Sequence, residues 1–224
     1  RHSVARAILP RLGSALRVGF PAVLGIQRPL EVIRDLELQI GVPVYEIPGL
    51  PPSIPGIRLH TLLVKAIQAS GGQVFSGMQV LSSEISGSEI TSVISEAAAR
   101  KKSHHAHRFV LATGGFLGGG MAAHENGYAQ ETIFNLPIAA SSARTDWFSP
   151  VYFSPLGQPI FKAGVAVNPQ LAPVDSNGQA LITNLSIIGG ALGGFDPLRE
   201  RSLEGVSLAT GYWAACHIGE AHLE

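Results

Sequence analysis

Two apolar runs that each end in paired glycines constrain this chain most: Val110-Leu111-Ala112-Thr113-Gly114-Gly115 and Ile187-Ile188-Gly189-Gly190-Ala191-Leu192-Gly193-Gly194. Each run is long enough for a buried strand of the kind found in parallel sheets. Glycines at its end allow φ > 0 and close approach of the backbone to a flat or charged ligand. In open α/β sheets the carboxyl edge is where ligands bind. A single glycine pair also suits a tight turn or close helix–strand packing, but two of them behind a β-rich stretch point to a ligand edge. Beyond the second run a helix is expected near Glu204-Gly205-Val206. Its unpaired N–H groups and positive dipole end suit an anionic ring edge or a phosphate.

Around these runs the hydrophobic spacing predicts an α/β chain of mixed α+β character. Residues 1–29 hold one short helix and one strand. Ile33, Leu36 and Ile40 follow helical spacing, with Gly41 at the C′ position. Residues 42–47 form a short strand, and the proline-rich residues 48–56 form a stiff loop. Leu59, Leu62, Leu63, Ala66 and Ile67 share one helix face, ended by Gly71-Gly72. Residues 73–75, 79–85 and 90–95 read as an antiparallel meander. A compact strand follows at 108–112, a β-rich region at 147–167, a turn at Asp175-Ser176-Asn177-Gly178, a strand at 181–188 and a final helix at 203–218.

Composition excludes several classes of function. With 46% apolar and 14% charged residues among 224, the chain can bury a sizeable core. Lys plus Arg equals Asp plus Glu, 16 each, so nothing in the charge calls for nucleic acid or an anionic membrane. The single Cys216 excludes an internal disulfide framework and a cysteine-based metal or iron–sulfur site within the chain. A reducing, cytoplasmic setting follows as the default. No apolar stretch reaches the roughly 18 residues of a spanning helix. His104, His105 and His107 read as a solvated loop rather than a metal site, because Lys101 and Lys102 beside them repel a cation. Gly205-Val206-Ser207-Leu208-Ala209 only approaches the G-x-S-x-G of a serine hydrolase. The opening at Arg1 and the close at Leu223-Glu224, a dipeptide typical of a cloning site, suggest an expressed piece of a longer protein.

The order of motifs is similar to that of flavoproteins of the fumarate-reductase and glutathione-reductase type. These carry a strand like Phe109 to Gly115 after a meander. Stretches like Ala163-Gly164-Val165-Ala166-Val167-Asn168, Asp175 to Gly178 and Asn184 to Gly190 follow towards their C-terminus. More closely, the chain resembles the family of B subunits of anaerobic glycerol-3-phosphate dehydrogenases. Leu50-Pro51-Pro52-Ser53, Gly56-Ile57-Arg58-Leu59, Gly114-Gly115-Phe116, Gly119-Gly120, Glu125-Asn126-Gly127 and Leu192-Gly193-Gly194-Phe195-Asp196-Pro197 carry that resemblance.

The resemblance implies a partial FAD/NAD(P)-binding-type fold: a β-meander, a β-rich substrate-domain portion, and no N-terminal Rossmann half, since G-x-G-x-x-G is absent. It divides the chain into a substrate or cap remnant (1–56), flavin-binding segments (57–118 and 168–222), a substrate-domain portion (119–167) and a cloning scar (223–224). It implies a flavin, FAD by the fold with FMN as the alternative. Val80, Thr113, Gly114, Gly115, Gly189, Gly190, Gly193, Gly194, Phe195, Asp196, Gly205 and Val206 are the expected contacts. Glu204 places a carboxylate where related chains have glycines. Arg58 and Arg144 are the candidates to clamp a phosphate substrate; no catalytic residue is singled out. The implied activity is oxidation of sn-glycerol 3-phosphate to dihydroxyacetone phosphate. Electrons would reach a quinone through a catalytic sister subunit and an iron–sulfur membrane-anchor subunit, with this chain peripheral to the inner membrane through its partners. Open alternatives are a non-catalytic scaffold or electron-relay subunit, and a fumarate-reductase-like flavoprotein with another substrate.

Overall fold

The computed structural model describes residues 1–49, 51–97 and 100–220, without the side chain of Glu220. Leu50 and the Leu223-Glu224 end lie outside the described residues. The chain divides into two compact units, Arg1–Ser76 and Gly77–Glu224.

The first unit contains α1 (His2–Ile8), β1 (Val18–Pro21), α2 (Pro29–Ile40), β2 (Val44–Ile47) and α3 (Ile54–Ala69). β1 and β2 pair in parallel from Val18↔Val44 to Pro21↔Ile47, and α2 is the crossover that a parallel pair requires. α2 follows the spacing read from the sequence. Pro29 stands in its first turn, where a missing N–H costs no bond, and Gly41 ends it at φ 83°. Leu36 and Ile40 meet Ala5, Leu24 and Val44 in the unit's core.

The loop expected over 48–56 is shorter than predicted. α3 already starts at Ile54, with Pro55 in the first turn and Ser53 Oγ accepting from Gly56 N at 3.2 Å. Proline is tolerated there for the same reason as in α2. The apolar face of α3 is exposed, with Leu59, Leu62 and Leu63 at 59, 65 and 55%. Arg58 ties α3 to β2 by an ion pair with Glu46, its Nη2 lying 3.0 Å from Glu46 Oε1, and its Nε donates to the Gly25 carbonyl at 2.8 Å. The boundary expected at 56/57 therefore falls inside this unit.

The second unit opens with an antiparallel meander of β3 (Val80–Ser86), β4 (Glu89–Ala97) and β5 (Arg100–His104). The meander is shifted along the chain from its predicted position. Residues 73–75 form no strand, and the third strand is the Lys/His segment read as a loop. An edge strand pairs on one side only, and charges such as Arg100, Lys101 and Lys102 discourage further pairing. His104 Nε2 lies 2.8 Å from Ser95 Oγ, and His105 Nδ1 lies 3.0 Å from the Thr91 carbonyl. Among the described residues no three metal-capable side chains cluster.

β6 (Phe109–Leu111) is followed by a hairpin of β7 (Met121–Ala123) and β8 (Ala129–Glu131). β9 (Leu185–Ile187), α4 (Pro197–Glu200) and α5 (Leu203–Glu220) complete the unit. The region 147–167, expected to be β-rich, contains a 3₁₀ turn at Pro159–Lys162 and isolated bridges from Val165 to Ile138 and Leu192. Pro150, Pro155 and Pro159 withhold the donors a ladder needs. β6 pairs in parallel with β9, from Phe109↔Leu185 to Leu111↔Ile187. Asn184 staples this pair to the meander: its Oδ1 accepts from Ile90 N and its Nδ2 donates to Ile90 O, both at 2.9 Å. Leu111, Leu185, Ile187, Ala191 and Ala214 of α5 share one core.

Burial separates two otherwise similar substitutions. Ile187, 0% exposed, should cost about 2–5 kcal/mol on truncation to Ala. Exposed Leu62 should change stability by no more than about 0.5 kcal/mol. Urea unfolding of the two variants checks the contrast.

The Arg58 guanidinium beside Glu46 holds that carboxyl below the ordinary carboxylate range. A lowered carboxyl pKa contributes stability above its unfolded value and loses it as pH falls through the folded value. The stability gap between wild type and Arg58→Met should therefore close on acidification below the ordinary carboxylate range. A gap that does not vary with pH would rule out the pair as its source.

Candidate cofactor site

Because β6 and β9 run in the same direction side by side, their glycine ends meet. A Cβ on Gly115 would lie 3.1 Å from the Gly190 carbonyl oxygen, and one on Gly190 would lie 3.5 Å from the Gly115 nitrogen. Gly114 and Gly189 turn the chain at φ 77° and 62°, a conformation costly for any residue with a Cβ. The two apolar runs thus present bare main chain at one edge, as their sequences suggest.

That edge is one wall of a cavity of about 730 Å³, in the size range of small-molecule and cofactor sites. Phe116, Trp147, Phe148 and Phe161 form aromatic walls, and Leu203 and Ser207 close it from the first turns of α5. Arg144 is the one charged side chain among the described lining residues.

Hydrogen bonds fix this edge in position. Thr210 Oγ1 accepts from Gly189 N at 3.0 Å and donates to the Val206 carbonyl at 2.6 Å, locking the second glycine edge onto α5. The loop after Gly115 folds back so tightly that a Cβ on Gly120 would lie 2.5 Å from Thr113 Oγ1 and overlap the Gly114 carbonyl. Thr132 Oγ1 donates to the Gly119 carbonyl at 3.2 Å. Next to it, the fully buried Glu131 accepts from Ile133 N at 2.8 Å and Phe134 N at 2.6 Å. Burial pushes the Glu131 carboxyl above its ordinary range, and the backbone N–H bonds oppose that shift.

Of the residues singled out from sequence, Gly114, Gly115, Gly189, Gly190, Phe195 and Arg144 line the cavity. Thr113 stands behind Gly114, its Oγ1 buried and without a partner among the described residues. Gly193 donates to the Val165 carbonyl at 3.0 Å and packs on Gly164, while Gly194 turns at φ 92°. Asp196 is buried and caps α4, its Oδ1 accepting from Leu198 N at 3.1 Å and Arg199 N at 3.0 Å. In α5, Val206 packs on the core and the Cα of Gly205 faces open space. Val80 opens the meander, and Arg58 belongs to the first unit, its guanidinium engaged by Glu46 and Gly25. The aromatic walls escaped sequence reading, because Phe116, Trp147, Phe148 and Phe161 come from irregular segments with no period to mark them.

An apolar cavity lined by bare backbone, aromatic rings and a single guanidinium suits a flat heteroaromatic ring beside an anionic group. Residues 1–208 match the FAD binding domain family. The chain belongs to that family. FAD is thereby favoured over FMN as its flavin. The chain is 36% identical over 222 residues to the probable B subunit of the anaerobic glycerol-3-phosphate dehydrogenase of Halobacterium salinarum, covering 99% of this chain and 51% of the relative. It is 36% identical over 221 residues to the B subunit of the anaerobic glycerol-3-phosphate dehydrogenase of Yersinia enterocolitica, covering 95% and 49%. The corresponding figures for the B subunit from Aliivibrio fischeri are 31% over 231 residues, covering 96% and 49%. The chain spans about half the length of these curated relatives. No solved structure matches it.

Glycine substitutions test which positions this family member uses for packing. A Cβ on Gly164 would overlap the Gly193 nitrogen and the Leu192 carbonyl, whereas one on Gly205 meets nothing within 4 Å. Gly164→Ala should destabilise the protein by more than about 1 kcal/mol through overpacking. Gly205→Ala should stabilise α5 by about 0.5–1 kcal/mol. Thermal unfolding distinguishes the two, and a loss of flavin on Gly205→Ala would mark Gly205 as a cofactor contact.

Proposed function

We propose that this chain is part of a FAD-dependent dehydrogenase subunit that oxidises sn-glycerol 3-phosphate to dihydroxyacetone phosphate. The observation that carries this reading is the meeting of two glycine edges, aromatic walls and Arg144 at one cavity. The names of the curated relatives supply the substrate. When bound, FAD supplies the hydride acceptor. Gly114-Gly115 and Gly189-Gly190 seat the ring edge, the aromatic walls exclude water, and Arg144 at the rim binds the substrate phosphate by charge-assisted hydrogen bonds.

The described lining holds no carboxylate or imidazole. The proton of the substrate hydroxyl therefore goes to a group outside these residues. The same observation favours a second reading, in which this subunit is a scaffold or electron relay and a sister subunit carries out hydride transfer. In both readings electrons pass to a quinone through an iron–sulfur membrane-anchor subunit, and the protein sits on the cytoplasmic side of the inner membrane. Among the described residues no helix is long and apolar enough to cross a membrane.

The native protein carrying this chain should show a flavin absorbance that glycerol 3-phosphate bleaches without added partner subunits. Bleaching that needs the sister subunit, or a protein that stays colourless, would select the second reading. Arg144→Ala should raise KM for glycerol 3-phosphate about 10- to 100-fold, the worth of a charge-assisted hydrogen bond, with flavin content unchanged.

A further inference from the structure

Arg144 is presented by a short segment held by its own hydrogen bonds. Asp146, two residues on, is its nearest acid in sequence. Its carboxylate is held elsewhere: Ser141 Oγ donates to Asp146 Oδ2 at 2.9 Å and Thr145 Oγ1 to Oδ1 at 3.3 Å. Ser141 Oγ also accepts from Ala143 N at 3.2 Å. Among the described residues no carboxylate forms an ion pair with Arg144.

Beneath the guanidinium lies Trp147, 5% exposed, with the Arg144 Cζ 5.8 Å from its ring centroid. That is within reach of a cation–π contact. The indole is itself anchored. Its Nε1 donates to the Ser141 carbonyl at 2.7 Å, its backbone N donates to the Arg144 carbonyl at 3.2 Å, and its ring stands 6.1 Å from Phe116, next to the glycine edge. Gly127 passes below, where a Cβ would lie 2.6 Å from the Ser142 carbonyl, so the segment rests on a backbone that admits no side chain.

We propose that Ser141 and Trp147 are positioning residues that present Arg144 unpaired to an anionic substrate group, Ser141 by holding the Asp146 carboxylate away and Trp147 by supporting the guanidinium at the cavity rim. This deepens the reading above and rests on it. Ser141→Ala releases the Asp146 carboxylate to compete with the substrate phosphate for Arg144. Trp147→Phe keeps an apolar plug but removes the Nε1 bond and weakens the ring's attraction for the cation.

The test is steady-state kinetics of the native holoprotein with glycerol 3-phosphate, together with inhibition by inorganic phosphate. Ser141→Ala and Trp147→Phe should each raise KM by about threefold to tenfold, the worth of a partly exposed cation–π or ion-pair contact. The phosphate inhibition constant should rise in step, while Ser141→Ala, outside the cavity lining, keeps the wild-type kcat and flavin content. S141A/D146N should return KM to the wild-type value, which a merely structural loss at Ser141 would not do. An unchanged KM in S141A, or failure of the double variant to reverse it, overturns the proposal. If Trp147→Phe does not fold, the Ser141 pair decides alone. If Arg144→Ala raises KM while S141A and W147F do not, only the positioning is wrong. If Arg144→Ala leaves KM unchanged, the substrate reading falls and the positioning with it.

Discussion

The parallel pairing of Phe109–Leu111 with Leu185–Ile187 is the contact on which the second unit depends. It joins segments separated by residues 112–184, and bringing such distant strands together costs loop-closure entropy before any contact repays it. The return comes from burial and from buried polar bonds. Leu185 and Ile187 are at most 2% exposed, and Asn184 satisfies both backbone groups of Ile90 across a separation of 94 residues. Once these strands run side by side in the same direction, both glycine pairs must emerge at the same edge.

Glycine makes that edge accessible but cannot make it rigid. Rigidity comes from neighbours: the Thr210 hydroxyl on Gly189 N, the Thr132 hydroxyl on the Gly119 carbonyl, and the Gly164–Gly193 approach, which leaves no room for a Cβ. A cofactor site of bare backbone is therefore sensitive to substitutions that never touch the cofactor. Membership of the FAD binding domain family agrees with this construction.

The two candidate arginines show how placement decides chemistry. Arg58 lies in a long helix and Arg144 in a short 3₁₀ turn, and each has an acid within reach of its segment. In the first unit Arg58 and Glu46, with side chains 15% and 11% exposed, close into a partly buried ion pair. In the second unit a serine holds the nearest acid to Arg144, and the guanidinium stands over an indole at the rim of the cavity. A guanidinium paired in this way already has its counter-charge. A guanidinium without a counter-charge can receive an anion.

By itself, the sequence determined what local physics governs. α2 ends at Gly41, the Asp175 turn closes on Asn177 N at 2.8 Å, and strands lead into the two glycine ends, though they span only Phe109–Leu111 and Leu185–Ile187 of the expected 108–112 and 181–188. In each of these, period, cap or turn chemistry acts within a few residues. Tertiary structure decided the rest. It made a strand of Arg100–His104 because an edge was free, left residues 147–167 irregular because prolines broke their ladder, and gathered Phe116, Trp147, Phe148 and Phe161 around one cavity. Those outcomes depend on which surfaces meet, and the meeting is set by contacts between residues far apart in the chain, which no local pattern encodes.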